Sequence, residues 1–217
     1  SITSGKAIVK GYATPVIAKA AGKWAFVQVK GTNKAGDSAD IADLASDANK
    51  NIALRTGASA YTSTSDTIAS TKYNYEFVFD LDAQTVTLTV NGKTLTHSID
   101  AQAISSVVGI TANSAVDRNL IMSKPTVGVP SNEPATETTT SSVNPTETTT
   151  EAQVEISTVD LTAKDGFSPS SASPAAGSIS VEYQSATDDY LLKDTSGVAA
   201  ATWTNSFESI TSGKVIV

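Results

Sequence analysis

Apolar and polar residues alternate with a period of two along most of this chain. Residues 24–30, 75–81, 85–90 and 178–183 place β-branched and aromatic side chains at every second position or in short runs, which is typical of β-strands. Asn91-Gly92 joins two of these runs and predicts a type I′ hairpin, because both central residues of that turn need a positive φ. Further strands are predicted at residues 7–12, 51–55, 107–111, 120–127, 154–161, 190–193 and 198–203.

This pattern leaves little room for helices. Only residues 39–49 place apolar side chains, at Ile41, Leu44 and Ala48, with helical spacing, and a strand followed by a loop fits them equally well. About a dozen short strands are typical of two stacked antiparallel sheets. The sequence therefore predicts an all-β protein with an antiparallel β-sandwich of the jelly-roll type.

A nonapeptide occurs at both ends of the chain. SITSGKAIV at residues 1–9 returns as SITSGKVIV at residues 209–217, and the two copies differ only at Ala7 and Val215. A duplicated cloning primer would be identical, whereas diverged tandem copies differ in this way. We interpret the chain as about one period of a longer tandem array.

Residues 130–153 have a composition of their own. They contain the short repeats PATETTT and PTETTT, four glutamates and no Lys or Arg, a composition that favours extended, solvated backbone over a packed core. Threonines clustered beside proline are also the usual acceptors of O-linked glycans. The sequence predicts a spacer, either a plain linker or a glycosylated stalk, with candidate O-glycosylation at Thr138, Thr139, Thr140, Thr148, Thr149 and Thr150.

The repeat and the spacer together suggest that the chain is cut within a domain. Residues 1–129 would be the latter two thirds of one sandwich, and residues 154–217 would be the first third of the next. The C-terminal part could fold back on residues 1–129 of its own chain, or it could complete the sandwich of a neighbouring unit. The surplus nonapeptide favours the second arrangement, because a sandwich with one vacant position takes one strand. We expect residues 1–12 to pair beside strands 177–203 of an adjacent unit, and the predicted inter-unit residues are Ser1, Ile2, Ile8, Val9, Ile210, Val215, Ile216 and Val217.

Composition narrows the classes of partner. The formal net charge of −7 and the pI of about 4.6 oppose binding to a phosphate backbone, so no nucleic-acid partner is expected. No apolar run approaches the roughly 20 residues that span a bilayer. The chain has no cysteine, which excludes disulfides and thiolate metal sites and is compatible with an extracellular, cell-surface location.

The sequence offers little support for catalysis, and we expect no enzyme. His97 is the single histidine, and no nucleophile elbow or phosphate-binding glycine loop is present. Two carboxylate pairs, Glu76 with Asp80 and Asp188 with Asp189, are the available candidates for glycoside hydrolysis, but they fit strand-face and turn charges better.

No resident cofactor is expected, with calcium as the one alternative. Calcium takes loop carboxylates as ligands, and the acids grouped in the sequence are Asp37, Asp40, Asp43 and Asp47, with Asp188 and Asp189 as a second group.

Residues 73–92, YNYEFVFDLDAQTVTLTVNG, resemble the paired strands of concanavalin A-like (laminin G-like) jelly-roll modules. There an aromatic-led strand and a short Asp turn precede a "tVtLtVNG" strand. Residues 190–194 through 210–217 are similar to the early strands of such modules in secreted bacterial polysaccharide-degrading proteins, and the Thr/Pro spacer is similar to their linkers. The resemblance implies a secreted bacterial tandem-repeat surface protein, and modules of this type often hold calcium.

Two functions remain as expectations from the sequence. The first is a structural or adhesive segment of an extracellular fibre, whose units join head to tail by complementary β-strands and whose partners are neighbouring copies. The alternative is a carbohydrate-binding module of a polysaccharide-degrading protein. Sugar faces stack on aromatic rings, and the candidate contacts are Tyr61, placed in a polar loop, and Trp24.

Overall fold

The computed structural model describes residues 5–16, 23–57, 59–111, 118–130, 158–160, 166–170, 178–195 and 201–207. Within them it forms sixteen β-strands and no helix, so none of the described segments is a helix that could cross a membrane. The strands are β1 (Lys6–Pro15), β2 (Trp24–Thr32), β3 (Ser38–Ser46), β4 (Asn51–Thr56), β5 (Ala60–Thr67), β6 (Tyr73–Asp80), β7 (Thr85–Val90), β8 (Lys93–Ser98), β9 (Ala103–Ile110), β10 (Arg118–Ser123), β11 (Thr126–Pro130), β12 (Thr158–Asp160), β13 (Ser168–Pro169), β14 (Ile179–Gln184), β15 (Asp189–Asp194) and β16 (Thr202–Ser206).

Two antiparallel sheets pack face to face and confirm the predicted β-sandwich. The first sheet has the order β14-β15-β10-β1-β6-β7-β8, with β11 pairing β1 beyond the end of β10 and β12 pairing β11. The second has the order β13-β16-β9-β2-β3-β4-β5. Neither sheet closes on itself, so the fold is an open sandwich.

Alternation along the strands builds the core. In β6, Tyr73, Tyr75, Phe77 and Phe79 are buried while the residues between them face outward. β7 repeats this pattern with every second residue buried. Side chains from both sheets meet in one cluster, and its largest fully buried members are Trp203, Phe26, Phe77, Phe79, Leu44, Leu54, Leu88, Ile104, Leu120, Met122 and Leu192.

The helix candidate at residues 39–49 is largely strand β3. Its pairing with β2 shifts by one residue, because Val29 lies opposite Ala42 and Lys30 opposite Asp40. Ile41 is therefore the extra residue of a β-bulge, and both Ile41 and Ala42 lie in the core. The bulge explains why buried side chains three residues apart imitate helical spacing in a strand.

Two turns follow the chemistry of their sequence. Asn91 and Gly92 have φ angles of 46° and 80°, as the predicted type I′ hairpin between β7 and β8 requires. The turn before β7 is longer than the Asn91-Gly92 turn. It spans residues 81–84, and Asp80 Oδ1 accepts a hydrogen bond from the Ala83 amide at 2.8 Å.

Candidate functional site

The first candidate site is the interface that the C-terminal segment, defined as β12–β16, makes with the rest of the sandwich. β15 pairs β10 over six residue pairs, β16 pairs β9 over five, and β12 pairs β11 over three. The C-terminal segment thus contributes strands to both sheets. Without it, β9, β10 and β11 would each expose an unpaired strand edge, which is a strong drive to pair with another strand.

Close packing fixes this segment to the core. Leu192 and Trp203 are fully buried, and Trp203 lies opposite Gly109 in the second sheet. A Cβ atom built on Gly109 would lie 2.6 Å from Met122 Sδ and 2.7 Å from Leu192 Cδ1. The small residue in β9 therefore allows Leu192 of the C-terminal segment to approach the facing sheet closely.

Hydrogen bonds at the interface satisfy groups on both of its sides. Thr111 Oγ1 donates to Asp194 Oδ2 at 3.2 Å and accepts from the Ala201 amide at 3.0 Å. At the other end of β15, Tyr12 Oη donates to Asp189 Oδ2 at 2.9 Å. These bonds join residues far apart in sequence. Because hydrogen bonds are directional and apolar burial is not, the bonds fix the position of the C-terminal segment relative to the rest of the sandwich.

The position of β1 corrects the expectation for the N-terminal repeat. Ile8 and Val9 lie within β1, which pairs β6 along one edge and β10 and β11 along the other. The sequence predicts that this region pairs beside β14–β16. Residues 6–12 do not lie beside these strands, because β10 separates β1 from β15. In this structure the C-terminal segment folds back on its own chain. Residues 1–4 and 208–217, with Ser1, Ile2, Ile210, Val215, Ile216 and Val217, lie outside the described residues.

The second candidate site is a groove on the outer face of the first sheet. It has a volume of about 630 Å³, and Lys10, Tyr12, Asn74, Glu76 and Thr89 are among the residues that line it. Register explains the grouping, since Tyr12 lies opposite Asn74, and Glu76 lies opposite both Lys10 and Thr89. In the described part of the chain, the side chains of Lys10, Asn74 and Glu76 make no hydrogen bond or ion pair.

Tyr12 is held firmly at the wall of this groove. Its hydroxyl is bonded to Asp189, and the ammonium of Lys72 lies 3.6 Å from its ring centroid, a cation–π contact. Burial, together with the hydrogen bond and charge of Asp189, raises the pKa of Tyr12 to about 12. The phenol therefore stays protonated at ordinary pH and keeps donating to Asp189.

The acids proposed as calcium ligands do not assemble into a metal site. Asp40 and Asp43 lie on β3, where Arg55 pairs with both and Lys30 pairs with Asp40 at 3.3 Å. Asp47 accepts the backbone amides of Asn49 and Asn51. Across the described residues, no three His, Cys, Asp or Glu side chains come close enough to hold a metal ion.

Asp43 is the most perturbed carboxyl group in the described part of the chain. It is 1% exposed and hydrogen-bonded to Arg55 Nε. Burial raises the pKa of Asp43 to about 6, and nearby Asp40 adds to the effect, although Arg55 and Gln28 act to lower it. Burial prevails because removing a carboxylate from water costs more than these partners return.

This pKa predicts how stability changes with pH. Because the folded pKa of Asp43 exceeds its unfolded value, the folded state binds the proton more tightly, and the resulting stabilisation is lost as pH rises from about 4 to about 6. We expect the free energy of unfolding of the parent chain to fall by up to roughly 3 kcal/mol relative to Asp43→Asn over this range. Urea unfolding at several pH values measures the difference. Thr62→Ala, which keeps Asp43, should show no such slope relative to the parent, and a flat difference for Asp43→Asn would contradict the prediction.

The structure separates the two aromatic residues proposed as sugar contacts. Trp24 is 9% exposed and packs against Phe26 with ring centroids 5.3 Å apart, so its ring is not available to a surface ligand. Tyr61 lies on edge strand β5 rather than in the expected loop, is partly exposed, and has the Lys23 ammonium 5.1 Å from its ring centroid.

The remaining predicted residues are found apart from one another or outside the described chain. His97 Nδ1 lies 2.9 Å from Thr56 Oγ1 and 3.0 Å from the Ser98 carbonyl oxygen, a local pairing role. Asp188 Oδ1 accepts from Tyr183 Oη at 2.8 Å in the turn before β15. Thr138, Thr139, Thr140, Thr148, Thr149 and Thr150 lie outside the described residues.

Sequence reasoning missed both the contact between Tyr12 and Asp189 and the pair of Asp43 with Arg55. The first joins residues 177 positions apart, and no local pattern signals it. The second lies across neighbouring strands, and an alternation of charge between adjacent predicted strands could have suggested it.

No family model matches this chain, and the searches of curated proteins and solved structures returned no match either.

Proposed function

We propose that this chain is a repeat unit of an extracellular structural or adhesive array in which β-sandwiches follow one another head to tail. The nonapeptide found at residues 1–9 and 209–217 supports tandem repetition. The threonine-rich residues 130–153 and the acidic, cysteine-free composition support an extracellular setting. Neighbouring copies of the repeat are the proposed partners.

The observation that carries this proposal is the position of the first nonapeptide copy. Its residues 6–9 begin β1, a central strand with neighbours along both edges. One sandwich has a single position of this kind, so a second copy of the same strand belongs to a second sandwich. The 208-residue separation of the copies then corresponds to one sandwich per repeat.

The chain geometry favours completion of a sandwich by the preceding repeat. Gly5, whose carbonyl accepts from Leu81, and Phe207, whose amide donates to Ser105, lie at the end of the sandwich where residues 99–102 cross between the sheets. Six residues separate Phe207 from Lys214, the counterpart of Lys6. They can span roughly 20 Å, which exceeds the roughly 10 Å between packed sheets.

The same pairings can therefore form in two ways. The C-terminal segment can pair with β9, β10 and β11 of its own chain, as this structure shows, or it can pair with the same three strands of the copy that follows it. The strand contacts are identical in both arrangements, as in domain swapping. In the array, we assign the segment to the following copy, which makes the joint between units a shared sandwich.

An engineered disulfide tests this assignment. Ile121 of β10 lies opposite Leu191 of β15, within the Cα separation that a disulfide bridges, and the chain has no other cysteine. We expect Ile121→Cys with Leu191→Cys, refolded at increasing protein concentration and oxidised, to give a ladder of covalent oligomers on non-reducing gels.

The matched control places both cysteines in one part of the chain. Thr87 and Thr96 lie opposite each other on β7 and β8, so Thr87→Cys with Thr96→Cys should give only monomers. If the β10–β15 pair also gave only monomers at every concentration, joining by complementary strands would be wrong.

Electron microscopy of the native material is the independent readout: filaments with one sandwich per repeat are expected, whereas isolated particles would overturn the fibre.

A carbohydrate-binding module is the second candidate, and Tyr61 is the observation that favours it. Its partly exposed ring lies beside the Lys23 ammonium, and its side chain is hydrogen-bonded to Arg55. An aromatic ring flanked by donors suits a sugar. Loss of polysaccharide binding in Tyr61→Ala would support this function, and retention of binding would exclude Tyr61 as the contact.

A further inference from the structure

We propose that the groove on the outer face of the first sheet binds a neutral saccharide. The ligand would contact the fixed ring of Tyr12 and the side chains of Lys10, Asn74 and Glu76, which have no partner among the described residues. Saccharide binding at this site would be a function additional to assembly of the array, since every completed sandwich would carry the groove. It is also distinct from Tyr61, which lies on the opposite sheet.

The polar groups of the groove match the hydrogen-bonding needs of a sugar. Glu76 offers carboxylate acceptors, Lys10 offers ammonium donors, and the Asn74 amide offers both. Sugar hydroxyls both donate and accept, so one ring can pair with all three side chains. These side chains have no partners in the described part of the chain, so a ligand would not have to displace an existing protein contact.

The backbone beneath these groups is rigid. The Asn74 amide donates to Asn91 Oδ1 at 3.0 Å, and the Asn91 amide donates to the Asn74 carbonyl at 3.1 Å. Asn74 and Glu76 also alternate with buried Tyr73, Tyr75 and Phe77. A site on a fixed central strand loses little conformational entropy when it binds a ligand.

The aromatic wall is arranged in advance as well. The hydrogen bond to Asp189 and the contact with Lys72 hold the Tyr12 ring in one place. Because Lys72 covers one face of this ring, a sugar would pack against the part of the ring that Lys72 leaves open, at a low entropy cost since the ring is already ordered. Lys10 and Glu76 carry opposite charges, which favours a neutral ligand over a polyanion.

Asp189 belongs to the C-terminal segment, so completion of the sandwich also completes the groove. This holds whether the segment comes from the same chain or from a preceding repeat. The two proposals can therefore be tested separately. If no covalent oligomers formed, the groove would still be present in each sandwich. If no sugar bound, the covalent oligomers would still be expected.

The test is a titration of the full chain with neutral hexasaccharides of glucose, xylose and mannose, followed by calorimetry and by chemical-shift mapping. We expect at least one of them to bind with a dissociation constant of about 1 mM or tighter. Glu76→Gln and Asn74→Ala should each weaken that binding about tenfold, and both substitutions are small surface changes that should leave the melting temperature nearly unchanged.

Thr87→Ala is the matched control, because Thr87 faces outward on the same sheet outside the groove lining. It should leave affinity unchanged. No binding by any of these sugars, or binding that neither Glu76→Gln nor Asn74→Ala weakens, would overturn the proposal. Binding that only Tyr61→Ala removes would place the contact on the other sheet and would also overturn it.

Discussion

Gly31→Ala is expected to lower the free energy of unfolding by about 3 kcal/mol or more, enough to leave much of the chain unfolded. A Cβ atom at this position would lie 1.8 Å from the Ala103 carbonyl oxygen and 2.9 Å from the Ile104 Cα. Both obstacles are backbone atoms, so no change of rotamer relieves the clash. β2 and β9 would have to separate where they pair at the centre of the second sheet.

Urea unfolding followed by circular dichroism measures this loss, and Gly57→Ala is the control. Gly57 has a φ of 57° and nothing within 4 Å of its would-be Cβ, so alanine there meets only the roughly 1–2 kcal/mol cost of a left-handed backbone. A smaller loss at Gly31 than at Gly57 would show that the two strands can move apart, contrary to the close packing described above.

The sheet architecture was predictable where one face of a strand is buried. β6 and β7 alternate strictly because β6 packs in the middle of a sandwich and β7 lies beside it, and their hairpin carries its own signal in Asn91-Gly92. β5 went unrecognised for the opposite reason. It is an edge strand whose residues are all at least partly exposed, so it lacks a buried apolar face, and its polar composition predicts a loop around Tyr61.

The candidate sites were less predictable, because they depend on register between distant strands. The groove forms because Tyr12 and Asn74 lie opposite each other, and a shift of either strand by one residue would turn its side chain to the other face of the sheet. Asp40 and Asp43, which in sequence resemble a set of calcium ligands, became partners of Arg55 for the same reason. Spacing along one segment cannot show which cation the next strand supplies.

Trp203→Ala should have the largest effect of any single change in the C-terminal segment, at about 3–5 kcal/mol. Trp203 is fully buried, it pairs with Gly109 of β9, and it is one of the largest side chains that the segment contributes to the core. Its removal leaves a cavity between the sheets at the interface that holds the segment. We expect β14–β16 to become sensitive to limited proteolysis before the rest of the sandwich unfolds.

Two further variants distinguish loss of volume from loss of a polar contact. Trp203 Nε1 has no hydrogen-bond partner among the described residues, so Trp203→Phe should cost clearly less than Trp203→Ala, since it removes fewer packed atoms and breaks no bond. Tyr183→Ala, on the same segment but at a side chain 52% exposed, should change stability by less than about 1 kcal/mol. Equal sensitivity of Trp203→Ala and Tyr183→Ala to urea and protease would show that the segment is not anchored through the core, and the shared-sandwich joint would then lose its physical basis.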